Sequence, residues 1–392
     1  MFSPLDEELE LLPGQLSPAL ADCVARLGTT MPFAQGRVLL KQMAGARISV
    51  ATLRRQTLRQ GQAAVEVETG AVEILEEGTT EPLRGPASLQ LSVDGAMVPL
   101  IGGKWAEVRT VACGELERDR TGNLRATNLS YFSRLTDHAS FSRLATLEMH
   151  RRGVERAGQV VAVNDGADWI QQFIDLHAPR AIRVLDFSHA SAYVHAVGHA
   201  LAEGSCGGWC EARLSELAEG DPMVVLTTLK GLGASLAEEH PARIAAQHSL
   251  AYLAKREEQI QYHRFRADQL PIGSGIVESA NKLLVEARCK GAGMHWRPEN
   301  VNHILALRCA DQSAHWETTT ACAQEHLRLS RVQARQTAQR ERRAKRRRKI
   351  TRADRPPAPE TARRSYFDAH GHPTNDHPFK RYRAISPRHA KL

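Results

Sequence analysis

Apolar positions in the first sixty residues recur at roughly helical spacing. In "MPFAQGRVLLKQMAG", Phe33, Val38, Leu39 and Met43 share a face, Gly45 ends the run, and Ser49 stands where an N-cap for the next segment belongs. With "PALADCVARLG" before it and "VATLRRQTLRQG" after it, the pattern predicts short helices over residues 18–62. The last of them carries Arg54, Arg55 and Arg59 on its polar side. Two short helices joined by a tight turn, the second one basic, are compatible with a helix-turn-helix that enters the DNA major groove. An ordinary helical hairpin is the competing reading.

After a polar stretch ending near Pro86 the period changes. "SLQLSVDGAMVPL" alternates Leu89, Leu91 and Val93 against Gln90, Ser92 and Asp94, which is strand spacing. "KWAEVRTVACGEL" and "LSYFSRL" are predicted as a second and a third strand, and "FSRLATLEMHRRG" as a helix. The nearly all-apolar runs "QVVAVNDG" and "AIRVLDFSHA" read as buried strands, each ending in an aspartate. From about Tyr193 to Asp268 the chain is rich in Ala, Leu and Glu without strand alternation, which predicts an inserted helical subdomain. The fold class is therefore α/β, a mixed sheet beginning with an antiparallel meander and interrupted by a helical insertion.

Composition narrows the class. Over 392 residues, 42% are hydrophobic, and no apolar run is long enough to span a bilayer. The acidic start "MFSPLDEELELLPG" has no charged-then-apolar leader, so a cytoplasmic protein is expected. Seven scattered cysteines do not form a disulfide framework, and reduced thiols are expected. The net charge of +8 is concentrated at the end: from Arg331 onward there are 19 Lys/Arg against 5 Asp/Glu. The block "RRAKRRRK", with Arg346, Arg347 and Arg348, reads as a disordered or transiently helical arm that neutralises phosphates. Without interleaved aromatics it is suited to backbone attraction rather than base reading.

Four carboxylates then stand out: Asp94 in "SVDG", Asp165 in "VNDGADWI", Asp186 in "LDFSHA", and Glu278 in "PIGSGIVESANK". Taken alone, each is an ordinary turn or cap residue, and Ser274 with Glu278 reads as a helix start. Together, acids at strand ends and a helix start are what two-metal phosphoryl transfer requires, because hard Mg²⁺ ions take carboxylate oxygens.

These motifs resemble those of bacterial insertion-sequence transposases of the ISKra type, related to Mutator-like elements, over about Pro4 to His389. The resemblance rests on "DGAMVPL…GGKWAEVRT", "NDGADWI", "LDFSHASAYV" and above all "PIGSGIVESANKLLVEARCKGAGMHW". It implies a DDE-type enzyme with an RNase H-like core that cleaves at element ends and transfers the freed 3′-hydroxyls to target DNA. It implies two Mg²⁺ ions, with Mn²⁺ able to substitute, held by Asp94, Asp165 and Glu278. The competing assignment makes Asp186 the second metal ligand. In the preferred one, Asp186 and His189 are a supporting Asp-x-x-His pair. The implied partners are double-stranded DNA, both element terminal repeats and target, and a second copy in a homodimer or larger synaptic assembly, without a membrane, in a bacterial, nucleoid-associated setting. The resemblance also implies a Cys-rich, zinc-ribbon-like segment upstream of "PLDEEL", close to which this chain begins.

The resulting organisation has a helical, helix-turn-helix-like DNA-binding region at 1–85 and the first part of the catalytic core at 86–192. The helical insertion covers 193–268, the second part of the core with the Glu278 helix covers 269–315, and a basic, largely disordered tail covers 316–392. Lys282, Arg288, Lys290 and Arg297 follow Glu278 closely enough to lie along the DNA path. Cys206 and Cys210 in "CGGWC" lack a matching second pair for zinc, and Trp169 and Trp209 read as packing residues. Two other functions stay open: an RNase H-like nuclease without strand transfer, and a non-catalytic DNA-binding remnant that regulates its own element.

Overall fold

Strand alternation sorts the sheet's two faces. In the computed structural model, which describes residues 12, 16–78, 84–120, 122, 124–201, 207–353, 366–377 and 380, with side chains to residue 345 and again from 366, five strands form one mixed sheet. β1 (Ser88–Pro99), β2 (Trp105–Arg118) and β3 (Leu124–Arg134) make an antiparallel meander. β4 (Gln159–Asn164) and β5 (Ile182–Leu185) run parallel to β1, giving the order β3-β2-β1-β4-β5. Leu89, Leu91 and Val93 of β1 point to one face, where they meet Phe141 of α4 (His138–Arg151) and Phe173 and Ile174 of α5 (Asp168–His177). Val160 and Ala162 of β4 join that face, whereas Val161 and Val163 belong to the opposite core. Burial on both sides is why this strand is a continuous apolar run.

The insertion is helical as predicted. α6 (Phe187–Leu201), α7 (Gly207–Glu219), α8 (Pro222–Ser235), α9 (Pro241–Ala254) and α10 (Tyr262–Ala267) bury Val194, Val197, Leu217, Leu226, Leu229 and Leu253 with Val161, Val163 and Leu185. Helix begins at Phe187 rather than near Tyr193, because Asp186 caps it: its Oδ1 accepts from the His189 amide at 2.9 Å. The chain returns through α11 (Gly275–Ala280), which continues as a π-helical stretch, Asn281–Glu286, and ends at Ala287–Cys289. α11 and α12 (Pro298–Gln312) pack Val277, Leu284, Val301 and Leu305 against Ala96 and Val98 of β1.

The N-terminal helices depart from their sequence reading. α1 (Pro18–Thr30) and α2 (Phe33–Ala44) form where expected, Gly45 ends α2 at φ +66°, and Ser49 caps α3 through the Thr52 amide at 3.0 Å. On α2, however, Gly36 and Leu40 are buried while Val38 and Met43 are exposed. α3 (Val50–Glu76) continues for 27 residues, into the polar stretch beyond the short helices expected over residues 18–62. Gly61 does not stop it, because a close approach of α12 needs that missing side chain: a Cβ there would lie 2.1 Å from the His303 carbonyl oxygen. Leu53, Thr57, Ala63 and Ala64 are buried along the helix. α3 is thus longer than the short helix expected at this position and is packed along much of its length.

The tail reading is corrected in part. Residues expected to be largely disordered begin with α13 (Trp316–Ala353), in which Trp316, Thr320 and Ala323 are buried and the Trp316 indole donates to Asp22 Oδ1 at 2.7 Å. Arg346, Arg347 and Arg348 lie on this helix, and their side chains are outside the described residues. Two compact units are distinguished, Met1–Ser330 and Arg331–Leu392. Among the described residues no helix is long and apolar enough to cross a membrane. Among the described residues five cysteines are free, but Cys210 is disulfide-bonded, against the expectation of reduced thiols.

Two glycines on α3 give opposite predictions. Gly61→Ala should lower stability by about 1–3 kcal/mol through overpacking. Gly70→Ala, whose added methyl would meet nothing within 4 Å, should raise it by roughly 0.5–1 kcal/mol. Chemical denaturation of both variants checks the sign of each.

A buried histidine predicts a pH dependence. His177 at the end of α5 packs on Phe173 with ring centroids 4.5 Å apart, and its Nε2 lies 2.9 Å from the Ser142 carbonyl oxygen. Burial depresses its pKa from 6.5 to about 4. Neutral His177 therefore contributes fully above pH 6.5, and the contribution is lost as the pH falls through about 4. The loss should approach ~3 kcal/mol. His177→Phe should show a shallower fall in unfolding free energy across this window.

Candidate active site

The parallel register gathers the three aspartates. Asn164 of β4 pairs with Leu185 of β5, so the next residues, Asp165 and Asp186, fall level. Leu91 of β1 pairs with Ala162 of β4, so three residues further along each chain Asp94 and Asp165 also correspond. Neighbouring strands lie about 4.8 Å apart, which sets the acids in a row. Glu278 arrives from α11, and Asp94, Asp165, Asp186, His189, Ser274 and Glu278 line one open cleft of about 230 Å³.

Asp94 and Asp186 have opposite surroundings. Burial raises the pKa of Asp94, and the charges of Asp165 and Glu278 raise it further, against hydrogen bonds from the Gly95 amide and Asn281. The Asn281 amide donates to Asp94 Oδ2 at 2.8 Å. Asn281 lies one helical turn beyond Glu278, and the reading of single residue types missed it; only its i+3 spacing from Glu278 pointed to the shared face. Asn164 was also missed: its Oδ1 accepts the Val93 amide and fixes β1 beside β4.

Asp186 is fully engaged. Oδ1 accepts the His189 amide, and Oδ2 accepts the Ser274 amide at 2.6 Å and its hydroxyl at 2.8 Å. Burial pushes its pKa upward, but hydrogen bonds from the amides of Ser274 and His189 and the hydroxyls of Ser274 and Ser188 outweigh it and hold the pKa below the usual carboxylate value. Ser274 therefore does not cap α11 with its side chain; it ties the returning chain to Asp186. Asp165 spends only Oδ1 on a local contact, from the Ala167 amide at 2.9 Å. This leaves Asp165 better placed than Asp186 to offer oxygens to the cleft.

The donor set is of the type that suits hard divalent cations: carboxylate oxygens from β1, the β4 end and α11. Among the described residues no three acid, histidine or cysteine side chains close into a ligand set. The arrangement is an open acidic cleft rather than a finished cage.

The predicted DNA contacts separate into groups. Arg54, Arg55 and Arg59 line a groove of about 480 Å³ with Leu58, Asn300 and His303, and Lys282 and Arg297 are exposed. Lys290 pairs with Glu286 at 2.7 Å. Arg288 is corrected: it is buried, its guanidinium donates twice to the Gly28 carbonyl at 3.1 and 3.0 Å and lies over the Phe33 and Trp296 rings. Loss of hydration lowers its pKa to about 10. It holds α1 to the core and is not open to a phosphate.

No protein-family model matches the chain, and no curated protein matches it either.

Ser274→Ala removes one donor to Asp186 while leaving the backbone amide in place. Unfolding free energy should drop by about 1–2 kcal/mol. An unchanged denaturation midpoint would mean that the Ser274 hydroxyl does not help hold the returning chain.

Proposed function

We propose that the chain is a metal-dependent DNA transposase with an RNase H-like core, acting in the cytoplasm on double-stranded DNA as a homodimer or larger synaptic assembly. The observation that carries this reading is the convergence of Asp94, Asp165 and Glu278 on one cleft from three elements widely separated in sequence. The antiparallel meander followed by two parallel strands supports the RNase H-like assignment.

Asp94, Asp165 and Glu278 would hold two Mg²⁺ ions, for which Mn²⁺ can stand in. Bound there, such ions activate an attacking oxygen and neutralise charge on the leaving one. Asn281 orients the Asp94 carboxylate, and the Asp186–Ser274 contact fixes the start of α11 so that Glu278 meets the sheet. At an element end the oxygen of water bonds to phosphorus as the bond to the 3′ oxygen breaks, leaving a 5′-phosphate and, with a proton from the water, a free 3′-hydroxyl. The hydroxyl then attacks a target phosphodiester, forming one P–O bond as another breaks. Arg54, Arg55 and Arg59, with Lys282 and Arg297, supply positive charge for the backbone, and the basic residues of the C-terminal region are a separate source of phosphate contacts.

Glu278→Ala should abolish cleavage of labelled DNA carrying the element ends in Mg²⁺ or Mn²⁺, while binding stays within about twofold, because a single cleft carboxylate contributes little to phosphate attraction. Retained cleavage would sink the assignment. Cleaved ends without joined product would identify a nuclease, and binding without cleavage by the unaltered chain would favour the regulatory remnant.

A further inference from the structure

Asp165 is gripped from behind by the helical insertion. The Tyr252 hydroxyl donates to the Asp165 carbonyl oxygen, and the Arg256 guanidinium donates through Nε and Nη2 to the Gly166 carbonyl oxygen at 3.2 and 2.7 Å. Arg256 is buried, lies 3.7 Å from the Tyr252 ring centroid, and also donates to the Tyr252 carbonyl at 2.9 Å. Tyr252 in turn stacks on Tyr193 of α6 at 4.1 Å and 15°. His189, which lines the acidic cleft, meets both tyrosine rings. The turn is shaped for this grip. Gly166 has φ +80°, and a Cβ there would meet Arg256 Nε at 2.5 Å and the Tyr252 hydroxyl at 3.0 Å. Outside the grip, Lys255 pairs with Asp168 at 2.9 Å.

We infer that Tyr252 and Arg256 are positioning residues that set the Asp165 carboxylate for divalent-cation binding, making the insertion a working part of the acidic site. The inference rests on the metal reading proposed above. The consecutive carbonyls of Asp165 and Gly166 are both held by the end of α9, one by Tyr252 on its last turn and the other by Arg256 just beyond it, so a displacement of that end moves Asp165 relative to Asp94. The link runs through backbone carbonyls rather than through the carboxylates that would touch the ion. Partners that fix a ligand's orientation in this way change metal affinity by about 10–100-fold when removed.

The test uses the full chain and Mn²⁺ alone, with free ion read by electron paramagnetic resonance. Tyr252→Phe keeps the ring stack and deletes only the bond to the Asp165 carbonyl; Arg256→Lys keeps the charge and deletes the fork. The expected result is Mn²⁺ affinity weakened about tenfold or more, a thermal midpoint within a few degrees of the unaltered chain, and faster hydrogen exchange at the amides of residues 166–168. In DNA cleavage, the Mn²⁺ concentration for half-maximal activity should rise while the rate at saturating Mn²⁺ changes less. Unaltered Mn²⁺ affinity in both variants, with Asp165→Asn and Asp94→Asn each weakening it, overturns the positioning role and leaves the metal reading standing. Mn²⁺ binding that is absent from the unaltered chain, or indifferent to Asp94→Asn, overturns the metal reading and this inference with it.

Discussion

The carboxylate of Asp186 is the join on which the rest of the molecule depends. The chain leaves the sheet at this residue and returns to it at Ser274, 88 positions later, and both hydrogen bonds from Ser274 end on a single Asp186 oxygen. Beside them the Phe187 amide donates to the Ile272 carbonyl at 2.9 Å. The exit and the return of the insertion are thus neighbours, so five helices can be added there without separating β5 from α11. A charged acceptor with several donors is worth more than a neutral hydrogen bond, and burial sharpens the penalty for breaking it. The same contact determines where α11 starts, and through it where Glu278 and Asn281 stand.

A comparable clamp holds the N-terminal helices. The buried guanidinium of Arg288 forks onto Gly28, and that of Arg308 reaches the carbonyls of Thr29 and Leu283. Both arginines have pKa values lowered by loss of hydration, which records an opposing cost that the carbonyl contacts and the aromatic faces around Arg288 offset. The turn between α1 and α2 is consequently fixed to the helices that follow Glu278. The arginine groove on α3 and the acidic cleft therefore belong to one compact unit, Met1–Ser330.

Strands and acids were legible in the sequence because their signals are local. Alternation in β1 named the face of Leu89, Leu91 and Val93, and an aspartate after an apolar run marked the ends of β4 and β5. Neither the length of α3 nor the burial of Arg288 was legible, since both are settled by partners remote in sequence: His303 accommodates Gly61, and Gly28 takes the Arg288 fork. The spacing of Val38 and Met43 misled for a related reason. Helical period identifies a stripe, but which stripe is covered depends on the neighbour, and here it is the one through Gly36 and Leu40. Asn281 escaped notice because an amide carries no charge signature, although it is the side chain that touches Asp94.

The cleft is unfavourable to the charge of one of its acids. Asp94 sits against the sheet, where burial already disfavours its charge, and Asp165 and Glu278 disfavour it further. Asn281 supplies a single donor, while its own Oδ1 is buried without a hydrogen-bond partner. A fold optimising stability alone would replace these acids or pair them with lysine or arginine, as it does for Glu286 with Lys290 and for Glu68 with Arg134. Asp186 in the same cleft is saturated with donors. The two aspartates differ in their surroundings: Asp186 is satisfied by donors of the protein on both oxygens, and Asp165 takes a single amide on Oδ1. That difference rests on hydrogen-bond geometry rather than on residue type, so the preference for Asp165 over Asp186 came with the resemblance and not from the four carboxylates themselves.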